Sequence, residues 1–237
     1  MDKRLIGEFM GTLVLILMGN GVVANVLLRK SKGEGAGWMV ITTGWGLAVM
    51  AGIFTAALFG SVDAHLNPAV TLGAAFASGD FSKFFPYFAA QLCGAMAGAA
   101  LVWLHYLPHW RETPDAATKL ACFCTAPAIR QPAANLLSEI IATFVLVVVG
   151  TGIGAKAAPP PGLGQYLWGA LVWGIGLSLG GTTGYAINPA RDLGPRLAHA
   201  VLPIAKKGGS DWGYAGIPII GPLIGGALAG LVLKLVL

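Results

Sequence analysis

Charge is scarce in this chain. Asp, Glu, Lys and Arg make up 11% of its 237 residues, against roughly 25% in soluble domains, so composition alone points to a membrane protein. The net charge of +5 comes from Lys and Arg in loops. They form no basic stripe interleaved with aromatics, which argues against a nucleic-acid partner. Cysteine is equally sparse. Cys93, Cys122 and Cys124 have neither the spacing of a zinc site nor that of a disulfide framework. Cys93 lies inside an apolar run and is expected in the packed core, whereas the Cys122/Cys124 pair falls in a loop and carries little signal. There is no metal cluster, nucleophile triad or phosphate-cradling glycine loop, so neither an enzyme nor a cofactor is expected.

What the chain has in abundance is apolar sequence: 56% hydrophobic residues, with a mean hydropathy of +0.73. Six stretches are long enough to cross a bilayer, at about 5–28, 38–60, 84–107, 135–157, 166–183 and 214–236. The first is longer than a signal peptide's apolar region and lacks a small-residue cleavage site, so it is expected as a retained span. Residues 108–134 form a longer connection bearing Pro and charge, and they divide the chain into halves of about 1–110 and 130–237.

The halves repeat. Glu8, Thr12, Leu15, Gly19 and Gly21 recur as Glu139, Thr143, Leu146, Gly150 and Gly152, all at an offset of 131. Gln91-x-x-Gly94 recurs at the same offset as Pro222-x-x-Gly225. Asn67-Pro68-Ala69 recurs as Asn188-Pro189-Ala190 at an offset of 121. Each half holds three spans, an odd number, so the second copy enters from the opposite side and the repeat is inverted. That arrangement places a site near the membrane midplane between discontinuous helices.

Both Asn-Pro-Ala triplets read as helix starts, because Asn is a preferred N-cap and Pro is favoured at the first helical position. The first helix is expected over Ala69–Ala77, ending at Ser78-Gly79-Asp80. At 1.5 Å per residue it spans on the order of 15–18 Å, about half a hydrocarbon core. Irregular backbone at membrane depth is tolerated only where protein buries it or it lines a watery cavity. Two short helices dipping in from opposite faces would bring their positive N-termini together near the centre. Each Asn side-chain oxygen would cap its own helix and leave its NH2 donors facing a lumen. The segments leading in, Asp63-Ala64-His65-Leu66 and Gly184-Tyr185-Ala186-Ile187, would present a ladder of carbonyl acceptors to water or a neutral hydroxyl solute. The helix ends, with Arg191, disfavour cations including hydronium. The expected fold is an all-α membrane protein forming a single channel domain over 1–237, with six transmembrane helices, two re-entrant half-helices and an inverted three-span repeat.

The segments Ala64-His65-Leu66-Asn67-Pro68-Ala69-Val70 and Gly184-Tyr185-Ala186-Ile187-Asn188-Pro189-Ala190-Arg191-Asp192 look like the two signature loops of the major intrinsic proteins, the aquaporins and glycerol facilitators. The chain resembles that family over essentially its whole length. The resemblance implies a narrow selectivity filter made by Trp45, Gly176, Tyr185 and Arg191. Gly176 matches a position that is His in many water channels, and Tyr185 stands where an aromatic residue, most often Phe, is found in glycerol facilitators. Asp192 and the Pro218-Ile219 pair also resemble the glycerol-facilitator form. Asp63 departs from the family, which often has Gly there, and the stretch between Trp45 and Asn67 is slightly longer than in bacterial glycerol facilitators. Two aromatic faces would take the CH backbone of a polyol while Arg191 donates to adjacent hydroxyls. The function so implied is passive diffusion of glycerol and related small neutral solutes, with water. A homotetramer and the bacterial inner membrane are family expectations.

Other readings stay open. A water-selective channel is one. A coupled secondary transporter is another, since inverted repeats with broken helices occur there too. Glu8 and Glu139, inside apolar spans, are expected to accept from backbone N–H groups of the re-entrant loops, with a proton relay as the rival reading. His65 is expected to bond locally, with a ligand or pH-sensing role as its rival. His105, His109 and His199 are expected at the interface. Orientation is not settled by charge. With the N-terminus inside, Lys3, Arg4, Lys83, Lys156 and Lys234 are cytoplasmic and the other ten Lys and Arg are not, against the positive-inside tendency.

Overall fold

A computed structural model describes residues 2–157 and 159–237, apart from the side chains of residues 155 and 156. The expectation placed on Lys156 therefore lies outside the described side chains. Among the described residues the regular structure is all helical, with no strand. Five helices are long and apolar enough to cross a membrane: α1 (Lys3–Leu27), α2 (Trp38–Leu58), α4 (Phe84–His105), α7 (Pro132–Gly152) and α10 (Gly216–Val236). Between α2 and α4 lies the short α3 (Pro68–Ser78), and α5 (His109–Glu112) and α6 (Ala116–Ala121) lie in the long connection. A single π turn, Ile153–Ala157, continues α7. The sixth expected span is α8 (Leu163–Ser178), 16 residues and so roughly 24 Å long. It starts three residues earlier than expected and stops five earlier, because residues 179–188 leave the helix to form the second re-entrant loop ahead of α9 (Pro189–Val201).

The packing repeats as the sequence does. α1 packs on α2 and α4, and α7 packs on α8 and α10. Each half-helix crosses to the other half: α3 packs on α10 and α9 packs on α4. Small residues make these approaches possible. A Cβ at Gly94 would stand 2.3 Å from the Phe9 carbonyl oxygen, and one at its mate Gly225 would stand 2.4 Å from that of Ile140. Phe9 and Ile140 are themselves 131 apart. A Cβ at Gly226 would meet the Ala69 carbonyl oxygen at 2.3 Å, and one at Gly230 would meet that of Gly73 at 2.3 Å. These contacts hold α3 against α10 with backbone touching backbone, as small residues allow between helices in lipid.

Two expectations about packing are corrected. Cys93 is exposed on the outer surface of α4 rather than in the core. His199 is not interfacial: it is fully buried, with Nδ1 2.9 Å from Ser210 Oγ and its ring edge-on to Phe123. The loop after α9 folds back over that helix, and Lys207 donates to the carbonyls of His199, Ala200 and Leu202 at its C-terminal end. A cation there complements the negative end of the helix.

Candidate functional site

The two re-entrant loops have an uncommon backbone. Ala64, Leu66, Tyr185 and Ile187 all have positive φ, at 44°, 53°, 39° and 43°. Each pair is separated by the same offset of 121 as the Asn-Pro-Ala units. Left-handed geometry at non-glycine residues costs of order 1–3 kcal/mol each and persists only where the surroundings enforce it. Two buried carboxylates do so. Glu8 Oε1 accepts from the His65 N–H at 2.9 Å and the Ser61 hydroxyl at 2.7 Å, while Oε2 accepts from the Leu66 N–H and from Gln91 Nε2, both at 2.8 Å. Glu139 accepts from the Ala186 N–H at 2.9 Å and the Ile187 N–H at 2.8 Å. With the amide N–H groups fixed to the carboxylates, the peptide carbonyls point elsewhere.

The asparagines join the loops to each other. Asn67 Oδ1 caps α3 by accepting from the Ala69 N–H at 2.8 Å, and Asn188 Oδ1 caps α9 by accepting from Ala190 and Arg191 at 3.0 and 3.1 Å. Their amides cross over. Asn67 Nδ2 donates to the Ile187 carbonyl at 2.7 Å, and Asn188 Nδ2 donates to the Leu66 carbonyl at 2.8 Å. The expectation that both NH2 groups are wholly free is corrected: one hydrogen of each binds the opposite loop, leaving one per residue. These reciprocal bonds place the two helix N-termini side by side.

A cavity of about 130 Å³ runs past this junction, lined by Asp63 through Asn67, by Tyr185 through Asn188, and by Arg191 and Trp45. A drug-sized ligand needs roughly 300–1,000 Å³, so this space suits small molecules. Its remaining wall is apolar, with Leu15, Val49, Ile53, Val70, Leu146 and Val172. Trp168 also lines it and was not singled out from sequence. Trp168 sits on Gly150 as Trp45 sits on Gly19, and those glycines are repeat mates, which is the signal that marks it.

Trp45 and Arg191 meet, the guanidinium carbon lying 4.1 Å from the indole centroid. Arg191 Nη1 also donates to the Phe123 carbonyl at 3.4 Å. Gly176 is absent from the cavity wall. It lies behind Tyr185, and a Cβ there would stand 2.7 Å from the Tyr185 ring. The Tyr185 hydroxyl packs into this recess without a hydrogen-bond partner, and Trp38, whose Nε1 donates to the Gly176 carbonyl, meets the ring edge-on. Gly184 is also away from the cavity wall.

At the end of the cavity on the side of the chain termini, Asp63 accepts from Lys83 Nζ at 2.6 Å and from the Tyr87 hydroxyl at 3.0 Å. Burial pushes its carboxyl up, but these two bonds outweigh it and hold the group below its ordinary value. The His65 ring lies 3.1 Å from Thr71 Oγ1 and edge-on to Tyr87.

On the sequence level, residues 1–233 match the family model described as Major intrinsic protein. The chain belongs to the major intrinsic protein family. It is 59% identical over 226 residues to a probable glycerol uptake facilitator protein of Thermotoga maritima, covering 94% of each chain. It is 52% identical over 236 residues to a glycerol uptake facilitator protein of Streptococcus pneumoniae, covering 99% of this chain and all of that one. Among solved structures, the aquaglyceroporin from Plasmodium falciparum superposes with a TM-score of 0.81 at 29% identity, covering 96% of this chain and 93% of the other. Proteins of this family are transporters, and the present member is an integral, multi-pass membrane protein.

Proposed function

We propose that this protein is a passive channel for glycerol and related small neutral solutes, with water, and that Trp45, Tyr185 and Arg191 form its selectivity filter with Gly176 making room behind Tyr185. The observation that carries this reading is the two-sided cavity. Aromatic and aliphatic side chains offer one wall to carbon-bound hydrogens. The other side offers the Arg191 donors, the two remaining asparagine N–H groups and the loop carbonyls to hydroxyls. A linear polyol, with hydroxyls along one edge and CH groups along the other, matches both walls. The relatives named as glycerol uptake facilitators support the same reading. We place the N-terminus and the Asp63 mouth in the cytoplasm, the Arg191 end outside, and the protein in the bacterial inner membrane as a homotetramer with one pore per subunit.

Charge exclusion follows from the same geometry. Two converging helix N-termini and a guanidinium raise the electrostatic barrier to cations, while a neutral solute crosses by exchanging hydrogen bonds. Coupled transport has little to act through, because Glu8 and Glu139 are committed to loop N–H groups.

The test is stopped-flow light scattering on proteoliposomes. Non-saturating glycerol flux well above bare liposomes and insensitive to ion gradients supports the channel. Water flux without glycerol flux would make it water-selective, and flux that collapses without an ion gradient would make it a coupled transporter.

A further inference from the structure

The pore's Arg191 is backed by a second, deeper arginine that sequence reasoning passed over. Arg196, five residues further along α9 and one turn after Asp192, is fully buried with that aspartate. Its Nε donates to Asp192 Oδ1 at 2.8 Å and its Nη2 to Asp192 Oδ2 at 3.1 Å. Nη2 also donates to the Thr125 carbonyl at 3.1 Å, and Nη1 donates to the carbonyls of Ser210 and Asp211 at 2.7 and 3.0 Å. Asp192 in turn accepts from the Thr125 N–H at 2.8 Å and the Thr125 hydroxyl at 2.7 Å. Thr125 is thus held by its N–H, hydroxyl and carbonyl, all from one ion pair on α9.

Two residues before Thr125 lies Phe123, whose carbonyl accepts both from Arg191 Nη1 at 3.4 Å and from Asn20 Nδ2 of α1 at 3.1 Å. The chain of contacts closes on itself. α9 carries Arg191, Asp192 and Arg196; the last two fix Thr125, which sets the Phe123 carbonyl, which in turn orients Arg191. We infer that Arg196 is a positioning residue for solute selection, acting through Asp192, Thr125 and the Phe123 carbonyl to fix the donor face that Arg191 presents to the solute. This rests on the channel reading above.

A buried ion pair that served only to stabilise α9 would be replaceable. Apolar residues of similar volume are often neutral or stabilising in place of such a pair, whereas removing one partner strands the other charge and destabilises. The five donors of a guanidinium, held in a fixed fork, match the three chain segments converging here in a way a point charge does not.

The experiment compares wild type, Arg196→Met, and the double variant Asp192→Leu/Arg196→Met in proteoliposomes, with water, glycerol and a five-carbon polyol as solutes. The double variant removes both charges at once and guards against misfolding of the single one. Wild-type glycerol flux tests the channel reading by itself. Given that flux, we expect the double variant to lower glycerol permeability about tenfold relative to water and to change the glycerol-to-pentitol ratio several-fold. Arg196→Lys is expected to restore part of the glycerol preference. Solute ratios equal to wild type in both Met variants, or a uniform loss for all three solutes, would reduce Arg196 to a structural role and overturn the inference while leaving the channel reading intact.

Discussion

Gly176 shows how indirectly a single residue bears on the proposed filter. From sequence this glycine looks like an opening in the wall that a histidine would close. The structure gives the space to the Tyr185 ring, 2.7 Å from where a Cβ would stand. A Gly176→His side chain therefore has to displace Tyr185, and the route left to Tyr185 is toward the cavity it already lines. The expected outcome in proteoliposomes is a larger fall in glycerol than in water permeability, because a single-file water needs less cross-section. Equal losses of both would mean that Tyr185 does not border the narrowest point. Asp63 makes a different kind of prediction. Its carboxyl is held below the ordinary value, so the stability it contributes is present above the unfolded pKa of roughly 3.9 and is lost as pH falls through the folded one. The group is a third exposed, which limits the effect to about 1 kcal/mol or less. Thermal unfolding in detergent should show Asp63→Asn less stable than wild type by a constant amount from pH 5 to 8, with the difference closing below about pH 4. A difference that did not shrink at all as the pH was lowered through the acid range would contradict the ionic tether to Lys83.

At the scale of elements, the half-helices were legible because their starts are written locally. Asn-Pro at the cap and first position, Gly79 at the far end with φ of 82°, and the doubling of the motif all survive translation into structure. The repeat offsets also carried the three-dimensional pairing: Gly94 with Phe9 and Gly225 with Ile140 are the same contact made twice. What stayed hidden lies in residues 108–134 and 202–215, where no period runs and the partners are far away in sequence. Thr125 meets Asp192 across 67 residues, and Arg196 was unremarkable until three chain segments closed on it. His199 was misplaced for the same reason, since its burial comes from a loop that turns back. The α3–α10 contact allows a direct test. A Gly226→Val side chain would be driven into the Ala69 carbonyl, which belongs to the first turn of α3 and cannot rotate away. Overpacking of this kind typically costs about 1–3 kcal/mol and shifts the backbone. We expect a lowered unfolding temperature together with loss of glycerol flux per folded protein; normal flux would show that α3 tolerates displacement.

Over the whole molecule, direction across the bilayer is what the charge count leaves open, and the structure shows where the cations opposite the termini go. Many of the cations on the side opposite the termini are engaged in the fold. Lys30 pairs with Glu112 at 2.5 Å, Arg130 pairs with Asp211, and Lys119 donates to the carbonyls of Ala205 and Lys206. Lys207 caps α9, Arg196 is buried with Asp192, and Arg191 lines the cavity. Cations on the side of the termini are paired as well, Lys83 with Asp63 and Arg4 with Asp2, so direction is decided by labelling rather than by counting charges. The native thiols leave the question open to chemistry, since Cys122 and Cys124 are buried and Cys93 lies on the outer surface of a membrane-crossing helix. In a Cys93→Ser background, Lys32→Cys should react with a membrane-impermeant maleimide in intact cells, while Lys234→Cys, at the end of α10, should react only after the cells are opened. Both positions are exposed, so neither is protected by the fold itself. The reverse pattern would put the Arg191 end in the cytoplasm and turn the proposed pore upside down.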